Sequence, residues 1–417
     1  MEVKEYDIVV VGGGPAGMAA AVAAYDSGIK NLAIIDREPE LGGILRQCIH
    51  NGFGLHKLGK ELTGPEYAAV YETEVAKRNI MVYYETMVTS VSPEKLVTAQ
   101  NKNGILKIKA KSVILAMGCR ERSRGALNIS GTRPAGIYSA GTAQKLLNCE
   151  GFAVGKTAVI LGSGDIGLIM ARRMSLEGAK VEAVCEIMPY SGGLTRNIVQ
   201  CLEDFNIPLY LSTTVAEIHG RDRVEGVTIA KVDENRQIIE STKRYIPCDT
   251  LLLSVGLIPE NELTIGAKIA LDPVTSGAVV DEHRMTEIDG IFACGNVLQV
   301  HDLVDYVSDE AEIAGKSAAM YVKNELNSGK TVNTLPKFGI RYVLPQRVNL
   351  ESDEDLSLFM RVTAPFGRVR FTVKSGDEVL ATAVRLKAAP GEMEKITIKA
   401  EKLSKITAPI TVDLEEL

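Results

Sequence analysis

From Asp7 the chain runs Ile-Val-Val-Val without a polar break, turns through Gly12, Gly13 and Gly14, and continues into an alanine-rich stretch up to Ala24. An unbroken apolar run of this length, closed by glycines, is the pattern of a parallel strand buried on both faces. The stretch behind it is long enough for a helix, and the next strand closes on Asp36. The pattern returns at Thr157 as Ala-Val-Ile-Leu-Gly-Ser-Gly-Asp-Ile-Gly167. An offset of 150 superposes Gly12 on Gly162, Gly14 on Gly164, Gly17 on Gly167, Gly28 on Gly178 and Asp36 on Glu186 without a gap. One G-x-G-x-x-G is a weak signal, but two complete strand–turn–helix–strand units with the acidic residue in place are a strong one.

Two later runs, Ser112–Gly118 and Thr250–Gly256, read as late strands of the two units. Gly290–Asn296 reads as a strand followed by a helix ending near Val322, and it is assigned back to the first unit. After about residue 330 the period changes. Leu356–Val362, Arg368–Val373, Val379–Leu386 and Glu394–Lys399 alternate like strands, broken at Pro365-Phe-Gly, Ser375-Gly-Asp and Ala389-Pro-Gly. The expected fold is α/β, with two Rossmann-like dinucleotide-binding domains and a small C-terminal antiparallel β domain. The first domain takes residues 1–120 and 275–330, the second is inserted as 121–274, and the β domain takes 331–417 as a lid or docking module.

The glycines have separate tasks. The first permits the tight turn, the second lets backbone N–H groups approach a pyrophosphate, and the third lets helix pack on strand. The helix N-terminus offers unpaired N–H groups to the phosphates. Asp36 and Glu186, each 19 positions beyond the last glycine, can accept from a ribose diol. A carboxylate at 186 repels a 2′-phosphate, and Arg196 stands too far along to serve as an obvious clamp, so NAD(H) is expected over NADP(H).

Composition removes other classes. The net charge is −6 with no basic cluster and no tryptophan, which argues against a nucleic-acid surface. Glycines and Pro15 interrupt the apolar run from Ile8 to Ala24, so neither a targeting segment nor a membrane span is expected, and the default location is cytoplasmic. None of the seven cysteines stands in a C-x-x-C or C-x-x-x-x-C spacing. That leaves no local metal or iron–sulfur ligand set, no contiguous redox disulfide and no secreted disulfide framework. Cys119, Cys149, Cys185, Cys201, Cys248 and Cys294 read as packing residues.

Over residues 6–322 these motifs resemble the pyridine-nucleotide-dependent flavoproteins, in a branch lacking the redox disulfide. Leu41-Gly-Gly-Ile-Leu-Arg-Gln-Cys-Ile-His-Asn-Gly-Phe-Gly54, Pro134–Gln144 and Leu161–Arg172 are similar to the flavoprotein subunits of opine oxidases, hydrogen cyanide synthases and dye-linked proline dehydrogenases. With Arg341-Tyr-Val-Leu-Pro-Gln346, the likeness is greatest to flavoproteins paired with bacterial glycerol-3-phosphate dehydrogenases. The resemblance implies FAD contacts at Gly12, Gly14, Pro15, Ala16, Gly17, Asp36, Arg37, Gly42, Gly43, Gln47, Val88, Ala116, Gly118, Gly295 and Asn296. It implies NAD(H) contacts at Gly162, Gly164, Asp165, Ile166, Gly167, Glu186 and Gly256. It also implies an electron-transfer role beside two partners: a small iron–sulfur protein and a second flavoprotein dehydrogenase subunit. Asn296 departs from the usual Gly-Asp pair and removes a charge there.

Cys48 and His50 are the catalytic candidates, expected beside the flavin as a redox-active thiol and a proton donor or acceptor. A structural thiol and histidine are the competing reading. Asp302 is expected to cap the last helix of the first domain, with His301 and Asp305 nearby; Gln144, Arg120 and Arg122 are expected at the domain junction. Two alternatives stay open: a stand-alone NADH oxidase or peroxidase using Cys48, and a non-catalytic FAD-bearing redox scaffold.

Overall fold

A computed structural model describes residues 3–326, 329–351 and 354–417. By contacts the chain divides into two units. One takes the chain up to Arg46, Asn51–Cys119 and Pro259–Leu417; the other takes Gln47–His50 and Arg120–Ile258.

The first unit is built on a seven-stranded sheet in the order Met81–Tyr83, Leu32–Ile35, Val3–Val11, Gly104–Leu115, Leu96–Asn101, Met87–Val91, with Ile291–Ala293 also paired to Gly104–Leu115. Val3–Val11 runs parallel to both neighbours, with Val9 opposite Ala33 and Val113. Its alternate side chains enter two cores. Ile8 and Val10 pack with the helices, while Val9 and Val11 pack on the other face with Val97, Ile108 and Leu298. Burial on both faces is why the run carries no polar residue. The helix Pro15–Asp26 lies against the helix Val304–Val322 through small side chains, including Ala20, Ala311, Ala314 and Gly315. A Cβ on Gly315 would stand 2.2 Å from the Ala20 carbonyl oxygen, so only glycine allows this approach.

The second unit has a five-stranded parallel sheet, in the order Ile137–Ser139, Thr250–Leu253, Thr157–Leu161, Lys180–Cys185, Leu209–Tyr210. A four-stranded sheet, Ser130–Gly131 through Arg244–Pro247, accompanies it.

Three boundaries differ from the sequence reading. The return to the first unit comes at Pro259 rather than 275, because Asn261 donates to the carbonyls of Ser276 and Val297 and Leu263 packs on that unit's core. Gln47–His50 belongs with the second unit. Residues beyond 331 group with the first unit instead of standing apart. They have a core of their own around Leu358, Phe371 and Ile398. However, Tyr342 and Leu344 enter the first unit's core, and the Gln346 and Arg347 amides both donate to the Val280 carbonyl. The strands in this part are antiparallel except for Thr331–Pro336 beside Ile410–Glu416.

Candidate functional site: two nucleotide cradles

Each unit repeats one backbone construction. Gly12 and Gly162 turn with φ of +106° and +101°, and their amides donate to the carbonyls of Ile35 and Cys185. A Cβ at either would run into the late strand, 2.4 Å from the Ala116 oxygen or 2.0 Å from the Ser254 oxygen. At Gly17 a Cβ would meet the Gly12 oxygen at 1.8 Å, and at Gly167 the Gly162 oxygen at 2.8 Å. The second glycine behaves oppositely. At Gly14 a Cβ would meet nothing within 4 Å, and at Gly164 the nearest atom is Ser254 Oγ at 3.8 Å. Both glycines are N-caps without a side-chain cap, on helices of 12 residues, Pro15–Asp26 and Asp165–Leu176. Open space above uncapped N–H groups is what a pyrophosphate needs.

The acidic residues close each cradle. Asp36 accepts from the Gly13 amide and, at 2.8 Å, from the Glu38 amide. Glu186 accepts from the Ser163 amide at 2.9 Å, Ser163 Oγ at 2.7 Å and the Met188 amide at 2.9 Å. Gly42 donates to the Gly13 carbonyl, and Gly43, at φ +53°, lies against the Gly14 Cα. Gly118 (φ +75°) and Gly256 (φ +100°) follow the late strands with open space at the Cβ position. These residues fit a dinucleotide in each unit. Arg37 is exposed beside Glu38, and Val88 is a core residue on a strand.

The last helix of the first unit brings a group that sequence reasoning missed. Glu310 is fully buried and accepts from the Gly295 amide at 3.0 Å, Gln299 Nε2 at 2.8 Å and Arg284 Nε at 3.3 Å, with His301 Nε2 at 3.0 Å. Burial alone would raise its pKa; His301, Arg284 and Gln299 outweigh that and hold it below the ordinary carboxylate range. Its signal was available: positions 307, 310, 311, 314 and 318 share one helix face, and a glutamate stands among Val307, Ala311, Ala314 and Ala318. Asn296 Oδ1 accepts from the His301 amide, and its Nδ2 points to Cys119 Sγ at 3.6 Å. Asp302 does not cap the helix. It pairs with Arg361 and accepts from Met393, and Leu303 is an N-cap without a side-chain bond. Asp305 instead ties a loop, accepting from the amides of Gly54 and Lys57.

Gln47–His50 forms a polar patch within the second unit. Gln47 Nε2 donates to the Gly141 carbonyl and Gln144 Oε1, and Asn148 Nδ2 donates to the Gln47 carbonyl. Burial pushes the Cys48 thiol up to about 12, with Cys149 adding to it, so it is protonated at neutral pH. That is the reverse of the lowered value a reactive thiol requires. Burial, then Arg196 and Arg172, lower His50 to about 4, so the imidazole is neutral. Cys149, expected in a core, is exposed at the end of the helix Ala140–Asn148. Among the described residues, no group of three or more His, Cys, Asp and Glu could hold a metal ion, and no helix is long and apolar enough to cross a membrane.

Residues 6–318 match the family described as pyridine nucleotide-disulphide oxidoreductase. The chain belongs to this family. Members use FAD and NAD(P)H, and the named relatives of this family member are oxidoreductases. It is 24% identical to an opine oxidase subunit from Agrobacterium tumefaciens, over 82% of this chain and 70% of that protein. It is 26% identical to the mitochondrial dihydrolipoyl dehydrogenase of Caenorhabditis elegans, over 74% of this chain and 66% of that one. Among solved structures, T. acidophilum thioredoxin reductase shares the fold at a TM-score of 0.62 and 24% identity, covering 76% of this chain and 98% of its own.

Proposed function

We propose that the first unit holds FAD, the second holds NAD(H), and the chain passes hydride between them as an electron-transfer subunit of a multi-subunit dehydrogenase or oxidase. The observation carrying this reading is the duplicated cradle, with its own buried carboxylate in each copy. When bound, the two cofactors supply the hydride donor and acceptor atoms themselves. The protein's part is to bind and orient. Uncapped helix N-termini face the phosphates, Asp36 and Glu186 face the riboses, and Glu310 fixes the Gly295 amide beside Asn296. Next to that turn, His301 Nδ1 and Gln299 Oε1 are buried polar atoms without a hydrogen-bond partner among the described residues, which suits a polar group of FAD there.

The buried Glu186 carboxylate favours NAD(H), since the extra phosphate of NADP(H) would meet a fixed negative charge. The likeness to a protein named as one subunit of an opine oxidase supports the multi-subunit part of this reading; the partners in the proposal are a substrate dehydrogenase, of glycerol-3-phosphate or amine and amino-acid type, and a small iron–sulfur protein, in the cytoplasm. The protonated Cys48 thiol leaves a peroxidase-like role without support.

Anaerobic addition of NADH to the purified chain should bleach the flavin absorbance within seconds, and NADPH should do so at least about tenfold more slowly, a difference of ~1.4 kcal/mol. Equal rates would remove the assigned role of Glu186. Retention of FAD with no bleaching by either nucleotide would remove the hydride step.

A further inference from the structure

The second unit carries a basic pocket that its nucleotide cradle does not use. A cavity of about 120 Å³ is lined by the apolar Ile49, Ile169 and Leu176 together with His50, Asn148, Arg172 and Arg173. Arg173 is neutralised: its Nε donates to Asn148 Oδ1 and its Nη2 pairs with Glu177 at 2.7 Å. Arg172 is not. It is exposed, its guanidinium stands 5.9 Å from the Phe205 ring centroid, and among the described residues it has no ion pair. Arg196, from the helix Thr195–Cys201, is likewise exposed without an ion pair. Asp165 and Asp204 act on Cys201 alongside both arginines. Asp165 Oδ1 is already engaged by the Leu194 amide and Asn197 Nδ2, at 2.8 and 2.7 Å.

One guanidinium without an ion pair, Arg172, therefore stands in the wall beside the half-buried imidazole of His50, next to apolar side chains left open to solvent, while Arg196, outside the wall, adds its charge to the same imidazole. Leu176 is 53% exposed and Ile49 39%. Guanidinium forks match carboxylates, and an apolar wall beside them calls for a ligand with an aliphatic body. The cavity's size suits a small ligand, a carboxylate with a few methylenes.

We propose that this pocket binds a small aliphatic carboxylate, its oxygens on Arg172 and its chain against Ile49, Ile169 and Leu176, with the charge of Arg196 adding attraction from outside the wall. The site does not depend on which dinucleotide either cradle takes. Its occupancy is readable at His50, which shares the pocket wall with Arg172 and also feels the charge of Arg196, with Cys48 remaining protonated throughout the titration. An anion on Arg172 offsets the part of the His50 lowering that the two guanidiniums add to that of burial.

The test is proton NMR of His50 in the full chain, its resonance identified with H50Q, during titration with butyrate, succinate, orthophosphate and a hexaglutamate peptide. Butyrate or succinate should move the resonance and raise the titration midpoint from about 4 by roughly one pH unit or more. The R172A/R196A chain, checked for folding by circular dichroism, should lose at least about tenfold in affinity by calorimetry, and R172K should lose less. The proposal fails if neither carboxylate moves His50, or if the double variant binds as the parent does. Orthophosphate binding as tightly as succinate would overturn the aliphatic assignment, and a response to hexaglutamate alone would make the patch a surface for an acidic protein.

Discussion

The two units build one cradle in two chemical settings. In the first, glycine occupies the position between the turn glycines, and Asp36 reaches only backbone there. In the second that position is Ser163, whose hydroxyl adds a bond to Glu186. The strand order agrees as well: the third, second, first and late strands run in sequence across both sheets. The outermost strand beside the late strand differs in origin. Ile291–Ala293 comes from the chain's return, whereas Ile137–Ser139 precedes its unit's first strand. The backbone turn and its acidic partner are thus what the dinucleotide requires, while side chains and chain order around them are free to change. The sharpest divergence is buried charge. The first unit encloses Glu310 with Arg284 and His301, and the second unit's cradle has no such network among the described residues.

The largest test of that divergence is Glu310→Ala. Removing the carboxylate strands Arg284 and His301 inside the fold and frees the Gly295 amide, so the first unit should lose about 3–5 kcal/mol. Glu186→Ala frees only uncharged donors in the second unit and should cost about 1–3 kcal/mol. Peptide-resolved hydrogen exchange assigns each loss to its unit, and equal losses would erase the distinction. Glu310→Gln should fall between the two.

A second test uses pH. Burial and the neighbouring Asp281 raise Glu282 in the first unit to about 7 from an ordinary 4.5, and its side chain is only 8% exposed. The folded state therefore holds a proton that the unfolded chain has released, and stability falls as pH rises from 4.5 to 7. The loss should be on the order of 3 kcal/mol. Glu282→Gln should flatten the urea midpoint over this window. An unchanged slope would mean that Glu282 ionises normally.

What could be read without coordinates follows from where the signals are local. Gly12, Gly14, Gly17 and Asp36, with their counterparts, were legible because one short segment carries strand, turn and helix. The offset of 150 even extends to Gly42 and Gly43 on Gly192 and Gly193, and Arg46 on Arg196. The copies diverge there, since Gly43 has φ +53° whereas Gly193 donates to Ser191 Oγ. Glu310, Arg284 and Gln299 were not read because their partnership joins separate segments, and a glutamate in a helix reads by default as solvated. Cys48 stayed open between a redox-active and a structural thiol for the same reason: spacing reports a thiol's place in the chain, not its burial. Tyr342 and Leu344 likewise give no local sign that the C-terminal strands enter the first unit's core.

A third comparison concerns the last glycine of each fingerprint. Gly17→Ala drives a Cβ to 1.8 Å from backbone oxygen, which cannot yield without opening the turn. Gly167→Ala meets backbone at 2.8 Å and the side chain of Ser254 at 2.8–2.9 Å. Both should be destabilising, Gly17→Ala by about 3 kcal/mol and Gly167→Ala nearer 1 kcal/mol. Thermal unfolding of the two variants ranks them, and the reverse order would mean that the first turn is the more pliable.

The smallest effect on stability should come at the second glycine, and there the comparison is most informative. A methyl group at Gly14 has open space, and at Gly164 it has room to 3.8 Å, so either alanine should change stability by less than about 0.5 kcal/mol. Neither position has a positive φ, so neither variant strains the backbone. Each methyl group nevertheless occupies the approach to an uncapped helix N-terminus. Gly14→Ala should release FAD on gel filtration while the apoprotein still binds NADH. Gly164→Ala should retain FAD and raise the NADH concentration needed for half-maximal bleaching. If the two losses were exchanged, the assignment of cofactors to units would be reversed. If neither variant changed either affinity, the open space above the helices would not be where the phosphates lie.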